Sequence, residues 1–366
     1  MKRIGITGID GLIGWHIRCF LNGCPNIQVL SGNRATFAAN DRLDEFVAGA
    51  DAIVHLAGMN RGNEHEIETT NIALTETLIG ACERARRRPH IVFASSIHVT
   101  RDTAYARSKR LCAQLIDEWA KRRGARFTTL VMPHVFGECG KPFYNSVVST
   151  FCYQLAGAQT PRIVQDSTLE LVHAQSVAEH VFDVIMNGRT GEIVINGFPI
   201  TVSDVLKKLE HFAQLYRNQI VPPLGTEIDL ALFNTYRSYL YPAYYPVAVE
   251  RKTDERGSLF EAVRSLNGGQ CFISTSKPDI TRGNHYHRRK VERFFVLEGK
   301  ATIRIRKLFS NEVSEFVVCG DLPQYVDMPT LHTHNIINTG DTTLTTLFWA
   351  HELFDAARPD TYREQV

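Results

Sequence analysis

Short apolar runs alternate with longer amphipathic stretches from residue 2 to about residue 236. Residues 2–7, 27–31, 52–56, 91–94 and 128–132 are compact apolar runs bounded by turn residues, which suits strands buried on both faces. Residues 11–21, 67–86 and 105–121 carry apolar side chains at helical spacing. Strand and helix in alternation predict a doubly wound parallel α/β sheet of the Rossmann-like kind. The texture changes after residue 237. Residues 239–245 are aromatic, contain Pro242 and are followed by Pro246, so a connector is expected there. From 247 to 351 the runs shorten and Gly257, Gly268, Gly269, Gly283, Gly299, Gly320 and Gly340 punctuate them. Residues 301–306 alternate apolar and polar side chains, as a strand with one buried face does. The expectation is two domains, 1–242 with a parallel sheet and 243–366 as an all-β sandwich or barrel.

The 366 residues suffice for two separate cores. Lys and Arg (41) nearly balance Asp and Glu (39), which argues against a nucleic-acid or anionic-membrane partner. The basic run at 84–88 suits a solvated helix end. The apolar start is broken by Gly5, Gly8, Asp10, Gly11 and Gly14, which fits a strand and turn better than a signal peptide. No run is long enough to span a bilayer, so no membrane partner is expected. The eight cysteines include no C-x-x-C pair and read as reduced thiols of a cytoplasmic protein.

Thr7-Gly8-x-x-Gly11-x-x-Gly14 sits where the first strand turns into the first helix. Glycines there allow a tight turn and let backbone N–H groups reach a pyrophosphate at the positive end of a helix. Gly8, Gly11, Leu12 and Ile13 are therefore cofactor-binding candidates. An NAD site usually has an acid at the end of the second strand to hold the ribose hydroxyls. Here that place reads Leu30-Ser31-Gly32-Asn33-Arg34. Arg34 suits a 2′-phosphate, so NADPH is the expected cofactor. Tyr105 and Lys109 stand one helical turn apart on one face. A neighbouring ammonium is expected to lower the phenol pKa and help Tyr105 exchange a proton. Ser95 and Ser96 end the preceding strand, where a hydroxyl can hold a substrate carbonyl oxygen.

With His55-Leu56-Ala57-Gly58, Asn71 and Pro133-x-x-x-Gly137, residues 1 to about 236 resemble the extended short-chain dehydrogenase/reductase family. The resemblance implies a catalytic set of Ser96, Tyr105 and Lys109, with Ser95 as the alternative to Ser96. It places Leu56, Ala57 and Gly58 against the cofactor, and Pro133 and the residues after it by the nicotinamide and substrate. Members commonly act on nucleotide sugars. This chain departs from the pattern in the short interval between Ser96 and Tyr105 and in Met132, where relatives often carry Arg.

His285 and His287 alternate along one predicted strand and so point to one side. With Glu292 and a distant His334 they offer three imidazoles and a carboxylate, a set that suits Zn, Fe, Mn or Ni. The spacing His-x-His-x4-Glu-x6-Gly299, then Pro329-x4-His334-x3-Asn338, resembles the cupin family, a jelly-roll barrel. His334 fits the spacing better than His332, two residues before it, and zinc is the first metal to expect. Leu331 stands where cupins usually have Gly. Asp254-Glu255-Arg256-Gly257 resembles the phosphate-contacting turn of cupin-type sugar-nucleotide epimerases, which makes Arg256 a substrate candidate.

The full-length order resembles a family of bifunctional capsule and O-antigen synthesis enzymes that fuse a reductase to a cupin. Lys141-Pro142-x-Tyr144-Asn145-Ser146 and the Pro359-Asp-Thr-Tyr362 ending belong to that resemblance. It implies Lys141 and Asn145 as substrate residues. The substrate it implies is a UDP-linked 4-keto-6-deoxy amino sugar, epimerised at carbon 3 by the cupin and reduced at carbon 4 with NADPH to a UDP-N-acetyl-L-talosamine-type product. A homodimer through the cupin is also expected. The alternatives are a reductase whose cupin only dimerises, a redox-sensing NADP-binding regulator, and a metal-dependent oxygenase.

Overall fold

Alternation of side chains along the strands decides how the N-terminal sheet is covered. The computed structural model describes every residue from 1 to 366 except Arg256, so the expected substrate role of Arg256 lies outside the described residues. Strands β1 (Lys2–Thr7), β2 (Ile27–Gly32), β3 (Ala52–His55), β4 (His90–Ser96), β5 (Phe127–Met132) and β6 (Gly191–Val194) form a sheet in the order β2-β1-β3-β4-β5-β6. Every pairing in it is parallel. Ile4, Ile6, Val54, Val92, Ala94 and Leu130 pack on one face with Ile17, Phe20, Val177 and Val181. Those partners come from helices Leu12–Asn22 and Ala174–Asn187. Ile53, Ile91 and Phe93, one residue out of phase, pack with Leu43, Leu78, Cys112 and Trp119 on the other face. Each buried Val, Leu, Ile or Phe among them contributes about 1.5–3 kcal/mol. The strand order reverses between β1 and β3, and ligands of such sheets bind outside the carboxyl ends of the strands at that point.

The expected helices shift by a few residues because local caps set their ends. The stretch expected at 67–86 is Glu64–Arg84, started by the Asn63 side chain accepting from His65 N–H. The stretch expected at 105–121 is Ala104–Arg123, capped by Thr103 and stopped at left-handed Gly124.

The chain packs as two units, Met1–Phe136 with Thr168–Ile200, and Gly137–Ser167 with Thr201–Val366. This division is cut differently from the 1–242 and 243–366 split that texture suggests. The reason is a buried polar knot that ties helices Val202–Arg217 and Glu227–Leu240 to the β-rich region. Tyr216 donates to Asp327 at 2.5 Å and its hydroxyl meets that of Tyr245 at 2.7 Å. Arg293 clamps both Asp327 oxygens at 2.7 and 2.9 Å, and Arg237 donates to the Met328 carbonyl. The expected connector is likewise packed: the Tyr241 hydroxyl donates to Ile305 O, that of Tyr244 to Tyr216 O, and Tyr245 is buried.

The second unit contains β7 (Gln270–Ser276), β8 (Thr281–Tyr286), β9 (Glu292–Glu298), β10 (Lys300–Lys307), β11 (Val313–Cys319), β12 (Gln324–Met328), β13 (His332–Asn338) and β14 (Leu344–Ala350). One sheet runs β12-β9-β14-β7 with Val247–Ala248 at the β12 edge. The other runs β11-β10-β13-β8 with Tyr362–Arg363 at the β8 edge. Pairing within both is antiparallel. Phe294, Val296, Ile303, Ile305, Met328, Ile336 and Phe348 from both sheets share one core, as in a jelly roll. Among the described residues no helix is long and apolar enough to cross a membrane, and the eight cysteines are free.

Candidate active sites

The glycine turn after β1 is built for close approach. Gly8 has φ +69°, and a Cβ there would lie 3.0 Å from Ala57 N. A Cβ on Gly14 would lie 2.4 Å from Gly8 O, so only glycine lets the helix start so near the turn. Gly11 caps helix Leu12–Asn22 with no side chain and the first turn holds no acid, which leaves the first N–H groups, those of Leu12 and Ile13 among them, to an anion. Thr7 Oγ1 accepts from Leu56 N (3.0 Å) and Ala57 N (3.1 Å), and meets His55 Nδ1 at 2.9 Å. This clasp ties the ends of β1 and β3 together at the reversal point. Burial, with Lys109 adding to it, pushes His55 down to about 3, so the imidazole stays neutral. Arg34 is exposed directly after β2, at the start of a short helix capped by Asn33.

Lys109, Gly58 and Asn71 come together below this turn. A Cβ on Gly58 would lie 3.0 Å from Asn71 Oδ1 and 4.0 Å from Lys109 Nζ. Asn71 accepts from Met59 N and donates to Met59 O and Ser108 Oγ, which fixes the loop after β3. Lys109 is buried, donates to Ala94 O at 2.8 Å, and is pushed down to about 8 by that burial. Its Nζ lies 5.7 Å from the Tyr105 ring centre. Burial raises the Tyr105 phenol, contrary to the lowering expected from a lysine one turn away. The ammonium is turned onto the Ala94 carbonyl, so desolvation dominates at the phenol. Ser96 Oγ accepts from His98 N at 3.2 Å and keeps its hydroxyl hydrogen for another acceptor, whereas Ser95 is buried. Pro133 follows β5 directly and is buried. In the second unit Lys141 and Asn145 are both exposed, with Lys141 Nζ 5.3 Å from the Tyr144 ring centre.

The sites expected at His285, His287, Glu292 and His334 converge. One ligand atom from each lies within 4.8 Å of all the others. A register shift between Gly283 and His285 kinks β8, and His285 then pairs with His334 on β13. Gly283 has φ +105°, and a Cβ there would stand 2.8 Å from His334 O. His287 Nδ1 donates to Asp360 O (2.5 Å) and His334 Nδ1 faces His332 O (3.2 Å). Both rings therefore turn Nε2 inward, as metal-ligating imidazoles do. His287 Nε2 lies 3.0 Å from Glu292 Oε2, and although burial opposes a charge there, the carboxylate raises this imidazole's pKa, so a metal would take the place of that proton. His334 Nε2 is buried without a formed hydrogen bond, 3.4 Å from Glu292 Oε2. Burial opposes ionisation of Glu292, but His287 and His334 beside it hold its carboxyl well below the usual range. Burial and the neighbouring imidazoles push His285 down to about 3. A buried, convergent set of three imidazoles and a carboxylate, with the His334 Nε2 left without a hydrogen bond, fits a divalent cation. His332 lies outside the cluster, its Nδ1 on Thr330 O at 2.8 Å and its ring against Tyr241.

The sequence reading missed two supports. Asp360 accepts N–H bonds from Arg288, Arg289 and Lys290 as well as the His287 proton on its carbonyl. Thr75 closes the clasp on His55 Nε2 at 3.3 Å. Neither has a local signal, because the partners are distant in sequence.

Residues 4–196 match the model of the NAD dependent epimerase/dehydratase family, and 252–362 match the polysaccharide biosynthesis C-terminal domain. The chain belongs to the NAD dependent epimerase/dehydratase family. It is 29% identical over 98% of both chains to the UDP-2-acetamido-2,6-beta-L-arabino-hexul-4-ose reductase of Pseudomonas aeruginosa strain PA103. The capsular polysaccharide assembling protein CapF of Staphylococcus aureus matches all of the chain over all of its own, at 32% identity and TM-score 0.65. This makes the family member one of CapF type, with a Rossmann-like sheet followed by a cupin. RMD from Pseudomonas aeruginosa, complexed with NADPH, shares the fold at 19% identity, TM-score 0.53, over 58% of this chain and 83% of its own.

Proposed function

We propose that the chain is a bifunctional nucleotide-sugar enzyme. Its cupin inverts carbon 3 of a UDP-linked 4-keto-6-deoxy amino sugar, and its Rossmann-like domain then reduces the carbon 4 ketone to a UDP-N-acetyl-L-talosamine-type product. The observation that carries this reading is a convergent His/Glu cluster in the same chain as a Ser/Tyr/Lys set. The full-length relation to a 4-ketose reductase supports the reductive half.

Bound NADPH supplies the hydride. Gly8, Gly11, Leu12 and Ile13 form the turn for its pyrophosphate, Arg34 meets its 2′-phosphate, and Leu56, Ala57, Gly58 and Pro133 line its path. Ser96 donates its retained hydroxyl hydrogen to the carbon 4 oxygen. Tyr105, a phenol already protonated at neutral pH and raised further by burial, is set to give a proton to that oxygen. The direction of that shift suits reduction, where the tyrosine must be an acid. Lys109, held on Ala94 O, orients the nicotinamide ribose. Lys141 and Asn145 contact the substrate.

A divalent metal, zinc first, supplies Lewis acidity to the cupin site. His285, His287, Glu292 and His334 hold it, and Asp360 fixes the His287 tautomer. The carbon 3 proton is acidic only while carbon 4 is a ketone, so inversion precedes reduction. Paired variants test the reading. His334→Ala is expected to abolish carbon 3 inversion while NADPH-dependent reduction of an already inverted ketone persists. Tyr105→Phe is expected to do the reverse. Loss of both activities in either variant contradicts two separate sites.

A further inference from the structure

The interval between Ser96 and Tyr105 is short, and the structure pins it from two sides. Residues Ile97–Thr100 form a single tight turn after β4. Arg110, on the helix that carries Tyr105, donates to the carbonyls of Val99 and Arg101. From the other side comes His134, two residues after β5 ends at Met132. His134 Nε2 and His98 Nε2 lie 3.3 Å apart, and their ring centres are 4.9 Å apart at 70°. That contact is a hydrogen bond only when one ring donates its single proton to the lone pair of the other. Burial first, then the Arg101 guanidinium, pushes both imidazoles down, so both are neutral near pH 7 and can share a proton in this way. The His98 backbone N–H is the group that Ser96 Oγ accepts.

We propose that His134 is a positioning residue of the reductase site, acting through His98 on Ser96. By holding the His98 ring it fixes the turn, and the turn keeps a donor on Ser96 Oγ. The Ser96 hydroxyl hydrogen is then left pointing at a substrate oxygen rather than sampling other acceptors. Neither histidine touches the reacting atoms in this account, and the carbon 3 chemistry of the other unit does not depend on either. The inference rests on the proposed reduction at Ser96, Tyr105 and Lys109.

The test uses the full chain with NADPH and the ketone substrate. His134→Ala is expected to lower kcat for reduction about tenfold, with KM for NADPH and the rate of carbon 3 exchange unchanged. His134→Asn, whose side-chain oxygen can accept the His98 proton, is expected to restore most of kcat. If His134 acts through Ser96, the double variant His134→Ala/Ser96→Ala is no slower than Ser96→Ala alone. Additive losses, failure of Asn to rescue, or an equal fall in carbon 3 exchange overturns the inference. The wild-type control separates it from the reading beneath it. Wild type without NADPH-dependent reduction overturns both, whereas active wild type with additive losses overturns this inference alone.

Discussion

Replacing Gly283 by Ala should weaken the cupin metal site without touching any ligand. The Gly283 backbone has φ +105°, a region that L side chains rarely adopt, and placing a Cβ there costs about 1–2 kcal/mol. The added carbon would also stand 2.8 Å from His334 O and 2.9 Å from Asn335 Cα. Ordinary carbon contacts begin near 3.5 Å, so β8 and β13 must part by roughly 0.6 Å or more. His285 and His334 lie on those two strands as a registered pair, so the movement opens the cluster between its own ligands. Misplacing ligand supports typically lowers metal affinity about 10–100-fold. The expected outcome is a fall of that size in zinc affinity, measured by chelator competition, with carbon 3 inversion lost in parallel. Binding of NADPH, followed by nucleotide fluorescence, should be unchanged. Wild-type zinc affinity in Gly283→Ala would refute the reasoning, because the close approach of the strands would then not matter to the site.

Three further outcomes follow from other parts of the molecule. Leu331 takes φ +61° with its side chain fully buried, so Leu331→Gly relieves about 1–2 kcal/mol of backbone strain but forfeits about 2–5 kcal/mol of packing. The net loss of about 0–4 kcal/mol should appear as a lower urea midpoint, and a raised midpoint would show that strain dominates. Burial depresses Lys109 to about 8, so its ammonium is lost as pH rises through that value, and kcat/KM for reduction should fall above about pH 8. A flat profile to pH 10 contradicts the role given to its charge. Arg34→Ala should raise KM for NADPH and narrow the preference over NADH, in steady-state assays with both cofactors, whereas unchanged selectivity would remove Arg34 from the 2′-phosphate.

The alternation of strands and helices and the glycine turn were legible because they are local. Apolar runs at 2–7 and 52–56 and the spacing of Gly8, Gly11 and Gly14 need no distant partner to be recognised. His285, His287 and Glu292 were legible for the same reason, and the choice between His334 and His332 depended only on spacing. What stayed hidden depends on long-range contact. The Tyr216–Asp327–Arg293 knot joins residues over a hundred positions apart, and with it helices Val202–Arg217 and Glu227–Leu240 pack in the β-rich unit. The upward shift of Tyr105 was equally invisible, since it needs the burial of the phenol and the turn of Lys109 onto Ala94 O. Left-handed Leu331 shows the converse. Glycine is the usual residue there in cupins, and this backbone keeps the glycine-like conformation with a leucine in its place.

The central claim is that a metal-bound cupin inverts a ketone that the Rossmann-like domain then reduces. Proton NMR of a UDP-4-keto-6-deoxy-HexNAc in heavy water, with zinc-loaded enzyme and no NADPH, tests it most directly. The account predicts deuterium entering carbon 3 without reduction, an alcohol forming only once NADPH is added, and no exchange after the metal is stripped. Reduction by NADPH with no deuterium at carbon 3 would contradict it and leave the cupin without a chemical step.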